Sequence, residues 1–474
     1  MEVRTRFAPS PTGYMHVGNL RTALYTYLIA RHYGGKFILR IEDTDQNRLV
    51  PGAANVIYKT LRDCGLAHDE GPDIGGPAGP YIQSQRREIY KQYAEKLIEL
   101  GGAYRCFCPR SGDETSSDAP SKYDGRCSLL SPEEIDEKLR QGVPYVIRQK
   151  IPKGGTTTFS DMIFGEITVE NDTLDDNVLI KSDGMPTYNF ANVIDDHLMG
   201  ITHVVRGSEY LSSTPKYNLL YKSFGWEVPR YIHCPPVMRD AHNKMSKRHG
   251  DPSYEDLVSE GYLSEAILNY VALLGWSPGG EREIFSLPEL VEVFDISGIS
   301  KSPAIFDIEK LKYFNSEYIR ALSAEDFHEK ALPYIRQAVK KPLDTRAIAA
   351  LLQQRCEKLT DIPDKLRFFD ELPEYSTELF VHKKSKSDVN SAREMLSAAI
   401  QALESLRDWT GDAIHEALIS LAESLGVKNA TLMWPVRIAA TGTAVTPGGA
   451  VEICSILGRE ESLRRLRSGL SKLQ

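Results

Sequence analysis

Two short stretches of this chain carry side chains suited to phosphate chemistry. Near the N-terminus, His16-Val17-Gly18-Asn19 follows Ala8-Pro9-Ser10-Pro11-Thr12-Gly13, a run that cannot be regular structure because proline lacks the N–H and fixes φ. Leu20, Leu24, Tyr27 and Leu28 then recur at helical spacing. A helix start offers N–H groups and the positive end of the helix dipole to an anion. Gly18 leaves room for a base or ribose against the backbone, and His16 can donate to phosphate oxygens. Far along the chain, Lys244-Met245-Ser246-Lys247-Arg248 sets two lysines and an arginine within five residues. Such a group can neutralise charge developing on a departing pyrophosphate, an electrostatic and positional role. Alone, the first stretch also fits loop punctuation and the second a solvated basic loop.

A third group is Cys106-Phe107-Cys108 with Cys127. Zinc takes four ligands in a tetrahedron, chiefly thiolate or imidazole. Three cysteines are present and no histidine lies between Cys106 and Cys127, so the fourth position is open to a water or to Asp124, and three unligated thiols remain the alternative. Cys64, Cys234, Cys356 and Cys454 are scattered and read as small buried hydrophobes.

The elements that position these groups follow from the pattern. Residues 3–7 and 36–41 read as strands flanking the helix that begins after His16, which implies a right-handed parallel β-α-β unit. Ligands of such sheets bind at the C-terminal strand ends, where residues 8–13 and Glu42-Asp43-Thr44-Asp45 fall. Residues 85–187 read as an insertion holding the cysteines and a polar run from Ser111 to Ser121. Parallel-sheet signals resume over 188–206. Helices are predicted over 263–274, 308–319, 347–359, 391–409, 412–425 and 460–473. The last presents Arg459, Arg464, Arg465, Arg467 and Lys472, read as a solvated face opposite Leu463, Leu466, Leu470 and Leu473.

At 474 residues the chain exceeds one compact core. Its 41% hydrophobic and 26% charged residues are ordinary for a globular protein. Seven cysteines, no apolar leader and no long apolar run argue against a disulfide framework, a signal peptide and a membrane span, and favour the cytoplasm. A formal charge of −8 weighs mildly against nucleic-acid binding, although a basic stripe can sit on an acidic body.

The pair H-x-G-x and K-M-S-K resembles class I aminoacyl-tRNA synthetases. Arg6-Phe7-Ala8-Pro9-Ser10-Pro11-Thr12-Gly13, Arg40-Ile41-Glu42-Asp43-Thr44-Asp45, Asp195-Asp196-His197-Leu198-Met199-Gly200 and the stretch from Phe306-Asp307 to Arg320 resemble glutamyl-tRNA synthetases of the bacterial type over essentially the whole chain. The resemblance implies an α/β fold: a Rossmann-like parallel-sheet catalytic domain in two halves (1–84 and 188–240), an inserted connective domain facing the acceptor end (85–187), the K-M-S-K loop with stem-contact helices (241–325), and an all-α anticodon-binding domain (326–474).

It also implies ATP with magnesium, bound by His16, Gly18, Asn19, Lys244, Met245, Ser246 and Lys247, with His16, Lys244 and Lys247 catalytic. L-glutamate and tRNA(Glu) are the implied substrates, tRNA(Gln) being left open, and the implied state is a monomer. Arg6 and Arg206 match the family's positions for the glutamate side-chain carboxylate, with Tyr188 adding a hydroxyl. Glu42 matches the position holding the α-ammonium, and Ala8, Ser10 and Asn192 line the site in relatives. A structural ion pair is the bland alternative for either arginine. Tyr210 departs from the pattern, since many relatives carry tryptophan after the residue matching Glu209. Tyr123 resembles the tyrosine zinc ligand of the related enzyme that glutamylates queuosine, which makes Cys106, Cys108, Tyr123 and Cys127 the expected structural zinc set. That relative is one alternative, but it lacks the helical sequence that here continues from Arg320 to the C-terminus. An inactive RNA-binding paralogue is the other; such proteins lose phosphate-handling residues that this chain keeps.

Overall fold

The computed structural model describes residues 2–108, 123–245 and 250–474. Ser246, Lys247 and Arg248 of the lysine-rich loop and the polar run from Ser111 to Ser121 lie outside the described residues. The chain divides into two compact units, Met1–Leu257 with Ile267–Ile308, and Val258–Ala266 with Glu309–Gln474.

Nine strands build the two larger sheets of the first unit: β1 (Arg4–Phe7), β2 (Lys36–Leu39), β3 (Ala103–Cys106), β4 (Val146–Gln149), β5 (Thr156–Asp161), β6 (Gly165–Glu170), β7 (Val178–Ile180), β8 (His203–Gly207) and β9 (Arg230–Cys234). Six of them form one sheet in the order β2-β1-β8-β9-β5-β6. Every pairing in it is parallel except β5 with β6. Two strands from the 85–187 stretch therefore extend the sheet that carries the N-terminal motif. The other three form a small antiparallel sheet, β3-β4-β7.

The helix Val17–His32 buries Leu20, Leu24 and Leu28 completely and carries the chain from β1 to β2. Gly34, at φ +63°, turns the chain out of it. At Gly35 a Cβ would stand 2.0 Å from the Val3 carbonyl oxygen, so only glycine lets the next strand start beside β1. The stretch 188–206 is not continuous strand. Tyr188–Leu198 is a helix whose buried Phe190, Val193 and Ile194 repeat at helical spacing, and the strand is confined to β8.

Register decides which side chains share a face. Thr5 pairs with His203, Arg206 with His233, and Asp161 with Tyr231. Since side chains alternate along a strand, Arg6, Arg206, His233 and Asp161 all stand on one face, near the C-terminal strand ends. The connections leave β1 and β8 in opposite directions across the sheet, so the space between these two strands is a topological switch point, where open α/β sheets bind ligands.

The second unit is helical around one apolar cluster that includes Phe327, Leu366, Leu396, Leu432 and Leu466, all completely buried. Three expectations need correction there, the first being the helix expected over 391–409, which runs only from Val389 to Glu404. The helix expected over 347–359 runs from Thr345 to Leu352, because Asp344 caps Arg346 and Ala347 N–H groups. It ends early as Cys356 turns extended. Arg465 does not belong to a solvated face. It is fully buried, and its guanidinium donates to the Phe368 and Ala440 carbonyls at 2.6 and 2.9 Å, satisfying orphan carbonyls near two helix ends. Arg459 likewise donates to the Leu406 carbonyl at 2.8 Å, and Arg464, Arg467 and Lys472 pair with Glu461, Glu404 and Glu374.

Candidate active site

A cavity of about 950 Å³ opens over the switch point. Arg6, Ala8, Ser10, His16, Gly18, Asn19, Glu42, Tyr188, Arg206, Lys244 and Met245 all line it, although they come from separate regions of the sequence. Asn192 is not brought to its wall: the side chain is buried and its amide donates to the Tyr188 carbonyl one turn back, at 2.7 Å.

His16 is the N-cap of the helix Val17–His32, its Nδ1 accepting the Gly18 N–H at 3.0 Å. The proton of the neutral ring is thereby fixed on Nε2. The Asn19 N–H is also spent, on the His16 carbonyl at 2.9 Å. The helix start thus offers a positive dipole end rather than a cradle of free amides, with the His16 ring proton on a buried Nε2. Exposed Lys244 stands 3.8 Å from Glu209.

Around Arg6 and Glu42 the charges are buried. Arg6 donates to Asp196 at 3.0 Å and to the Val205 carbonyl at 3.2 Å. Arg40, with no exposed surface, bridges Asp196 at 2.7 Å and Glu42 at 2.9 Å. Burial opposes ionisation of Asp196, but Arg6 and Arg40 outweigh it and hold the carboxyl below the usual carboxylate range. Burial pushes the Glu42 carboxyl up, with Arg40 and Arg6 pulling the other way.

Arg206 differs from these. Its Nε donates to His233 Nε2 at 3.0 Å and its Nη2 to the Thr214 hydroxyl at 2.9 Å. Its carbon Cζ lies 5.2, 4.8 and 5.4 Å from the ring centres of Tyr210, Tyr217 and Tyr231. The arginine is only 5% exposed, yet no carboxylate among the described residues pairs with it. A buried cation held by ring faces and neutral acceptors, at a cavity wall, is prepared for an anion from outside.

Residues 2–313 match the family described as class I tRNA synthetases (E and Q), catalytic domain. The chain belongs to that family. Residues 326–470 of this synthetase match an anticodon binding domain. It is 60% identical over 479 aligned residues to a glutamate–tRNA ligase of Clostridium botulinum, with 100% of this chain and 99% of that protein covered. It is 59% identical to the glutamate–tRNA ligase of Clostridium tetani, at 100% and 98% coverage. Among solved structures, a glutamate tRNA ligase from Elizabethkingia meningosepticum in complex with its amino acid superposes with a TM-score of 0.92 at 37% identity, over 100% of both chains.

The synthetase brings its three expected thiols together as well. The sulfurs of Cys106, Cys108 and Cys127 lie within 4.8 Å of one another, those of Cys108 and Cys127 at 3.5 Å. The Tyr123 hydroxyl sits 3.2 Å from Cys106 Sγ and 3.4 Å from Cys108 Sγ. Asp124 is committed elsewhere, to the Arg126 guanidinium at 2.7 Å. The Arg148 guanidinium lies 4.1 Å from the centre of the Tyr123 ring. Burial opposes ionisation of Cys106, but hydrogen bonds from Tyr123, the backbone and Arg148 outweigh it and lower the thiol. Burial raises Tyr123, whose hydroxyl also bonds the cysteines.

Apart from one signal, nothing local in the synthetase's sequence announces Asp161, His233 and Thr214, which stand behind Arg206, or shows that Arg40 ties Glu42 to Asp196. In Thr156-Thr157-Thr158-Phe159-Ser160-Asp161 the alternation sets Asp161 on the same side as Phe159, where a solvated carboxylate has no place.

Proposed function

We propose that this chain is a glutamate–tRNA ligase. The carrying observation is Arg206, a buried cation without a carboxylate of its own, in the same cavity as capped His16 and Lys244. In this reading Arg206 and Arg6 receive the side-chain carboxylate of glutamate, Tyr188 contributes its hydroxyl, and Glu42 faces the α-ammonium. Glutamine, neutral at that end, leaves Arg206 underpaired, a loss of about 1–3 kcal/mol. ATP lies along Gly18 and Asn19, its phosphates between the Nε2–H of His16 and the Lys244-Met245-Ser246-Lys247 loop, with magnesium as counter-ion. The glutamate α-carboxylate attacks the α-phosphate, pyrophosphate leaves, and a ribose hydroxyl of the tRNA's terminal adenosine then displaces AMP. Residues 326–474 are assigned to the anticodon, 85–187 to the acceptor end and 241–325 to the loop and stem contacts, of a monomer acting in the cytoplasm. No helix among the described residues is long and apolar enough to cross a membrane.

Charging of purified tRNA(Glu) and tRNA(Gln) with glutamate tests this reading, alongside ATP–pyrophosphate exchange with and without tRNA. Glutamyl ester formed on tRNA(Glu) is the expected result, and exchange without any tRNA charging would overturn the ligase assignment. The tRNA(Gln) arm decides the second substrate.

Lys247→Ala is expected to slow adenylate formation by about tenfold or more, because a cation is lost where pyrophosphate charge develops. The glutamate KM should change little. Single-turnover measurement of adenylate checks it; an unchanged rate would remove Lys247 from the assigned role.

The thiol cluster fits one zinc. Tetrahedral thiolates at Zn–S of about 2.3 Å lie about 3.8 Å apart, within the range seen, and the Tyr123 oxygen would be the fourth ligand. The metal would close the inserted segment, and Arg148 over the Tyr123 ring favours the anionic ligands. Elemental analysis of protein purified without chelators should return close to one zinc per chain. Well under one, with all three cysteines reactive toward a thiol reagent, would remove the site.

A further inference from the structure

Arg206 can serve a carboxylate only if its fork faces the cavity, and three groups behind it decide that orientation. His233 stands beside it in register on the neighbouring strand β9. His233 Nδ1 lies 2.7 Å from Asp161 Oδ2, which also accepts the His233 backbone N–H at 3.1 Å. Both side chains are fully buried. Asp161 comes from β5, two strands from Arg206 in the sheet. Its other oxygen, Oδ1, accepts the Ile163 and Phe164 N–H groups at 2.9 and 2.8 Å. As an acceptor it fixes the His233 proton on Nδ1 and leaves a lone pair on Nε2, the atom that receives Arg206 Nε–H.

We infer that Asp161 and His233 are positioning residues for substrate specificity: a carboxylate-oriented imidazole aims the Arg206 fork at the substrate carboxylate. The inference rests on the assignment of Arg206 to the glutamate side chain. With Nε held by His233 and one Nη2 hydrogen by Thr214, the two Nη1 hydrogens and the second Nη2 hydrogen are left for the ligand. Thr214 can accept from Arg206 because its own hydroxyl proton goes to the Tyr210 carbonyl, at 2.8 Å. No acidic side chain of the described residues touches the guanidinium, so its charge is not cancelled while its direction is set. An aspartate in contact would fix it as firmly but would compete with the substrate.

The test compares Asp161→Asn, His233→Asn, His233→Gln and Arg206→Gln by steady-state charging of tRNA(Glu). In Asp161→Asn the amide oxygen can keep the Ile163 and Phe164 contacts, while its N–H group faces His233 Nδ1 and drives the ring proton to Nε2, against Arg206. His233→Asn removes the acceptor from Arg206, and His233→Gln can restore one through its longer amide. Expected are a rise of about tenfold in the glutamate KM for Asp161→Asn and His233→Asn, a kcat held within about threefold, and an unchanged ATP KM. His233→Gln should recover part of the loss. Glutamate KM values within about twofold of the parent in both Asn variants would overturn the positioning role. So would equal changes in glutamate KM, ATP KM and thermal midpoint, which mark general loosening. If Arg206→Gln itself leaves glutamate use unchanged, the carboxylate assignment beneath it falls instead, and the two failures are told apart.

Discussion

Arg206→Gln is expected to lower kcat/KM for glutamate on the order of hundredfold, with the ATP KM nearly unchanged. Truncating one partner of a buried charged contact costs roughly 2–5 kcal/mol, much of it the penalty on the partner left unpaired. In the proposed reading that partner is the substrate carboxylate, which would lose the guanidinium now held over the Tyr210, Tyr217 and Tyr231 rings. Arg6 compensates only in part, because its charge is already paired with buried Asp196 at 3.0 Å. The neutral amide should also erase much of the preference for glutamate over glutamine. Paired measurements of charging with each amino acid check both parts. A parent-like kcat/KM for glutamate would make Arg206 a structural residue and return the site's specificity to Arg6.

The two stretches suited to phosphate chemistry were legible because each is local. A proline-broken loop, a glycine at a helix start and a knot of lysines occupy a few consecutive positions, and their chemistry needs no long-range information. The α/β architecture was legible for a similar reason, since the strand–helix–strand beginning at Arg4 sets its own connection and hand. The set of Arg6, Glu42, Tyr188 and Arg206 was legible only by resemblance. Nothing near Arg206 in sequence announces His233 or Asp161. They meet because His233 pairs in register with Arg206 and β5 joins the same sheet beside β9. Periodicity gives the face of each strand but not the rung on which two strands align.

The misread elements have equally physical causes. Residues 188–198 are rich in apolar side chains, and a short apolar run does not separate a buried helix from a buried strand. In the C-terminal helix, Arg465 lies between Arg464 and Leu466, and charge alone suggested solvent. Its burial follows from carbonyl groups of two other helices, which only tertiary structure brings within reach. The cysteines fared better. C-x-C and a return segment place donors by short spacing, and the fold brings the Tyr123 oxygen among them with Asp124 turned to Arg126.

The second large effect concerns stability. Asp195→Ala is expected to destabilise the first unit by about 3–5 kcal/mol, the usual cost of breaking a buried ion pair from one side. Asp195 has no exposed surface and accepts from Arg86 at 2.7 Å, Gln83 at 2.9 Å and Tyr90 at 2.8 Å, with Arg40 at 3.8 Å. Alanine leaves buried Arg86 without its carboxylate partner, whereas Arg40 keeps Asp196 and Glu42. In a unit of this size the loss corresponds to a fall on the order of 10 °C in the thermal midpoint. The neighbouring Asp196 adds a pH dependence with a definite sign. Its carboxyl is held below the usual range, so its stabilisation is present above the unfolded value of about 3.9. That stabilisation is lost as pH falls through the lower folded value. The parent should therefore resist acid until below about pH 4, and Asp195→Ala should unfold at lower temperature across the whole range above it. Thermal scans of both proteins between neutral and acid pH check the pair. A midpoint within about 2 °C of the parent at neutral pH would mean that Arg86, through the Ala78 and Pro80 carbonyls it already reaches at 3.1 and 2.8 Å, needs no countercharge from Asp195.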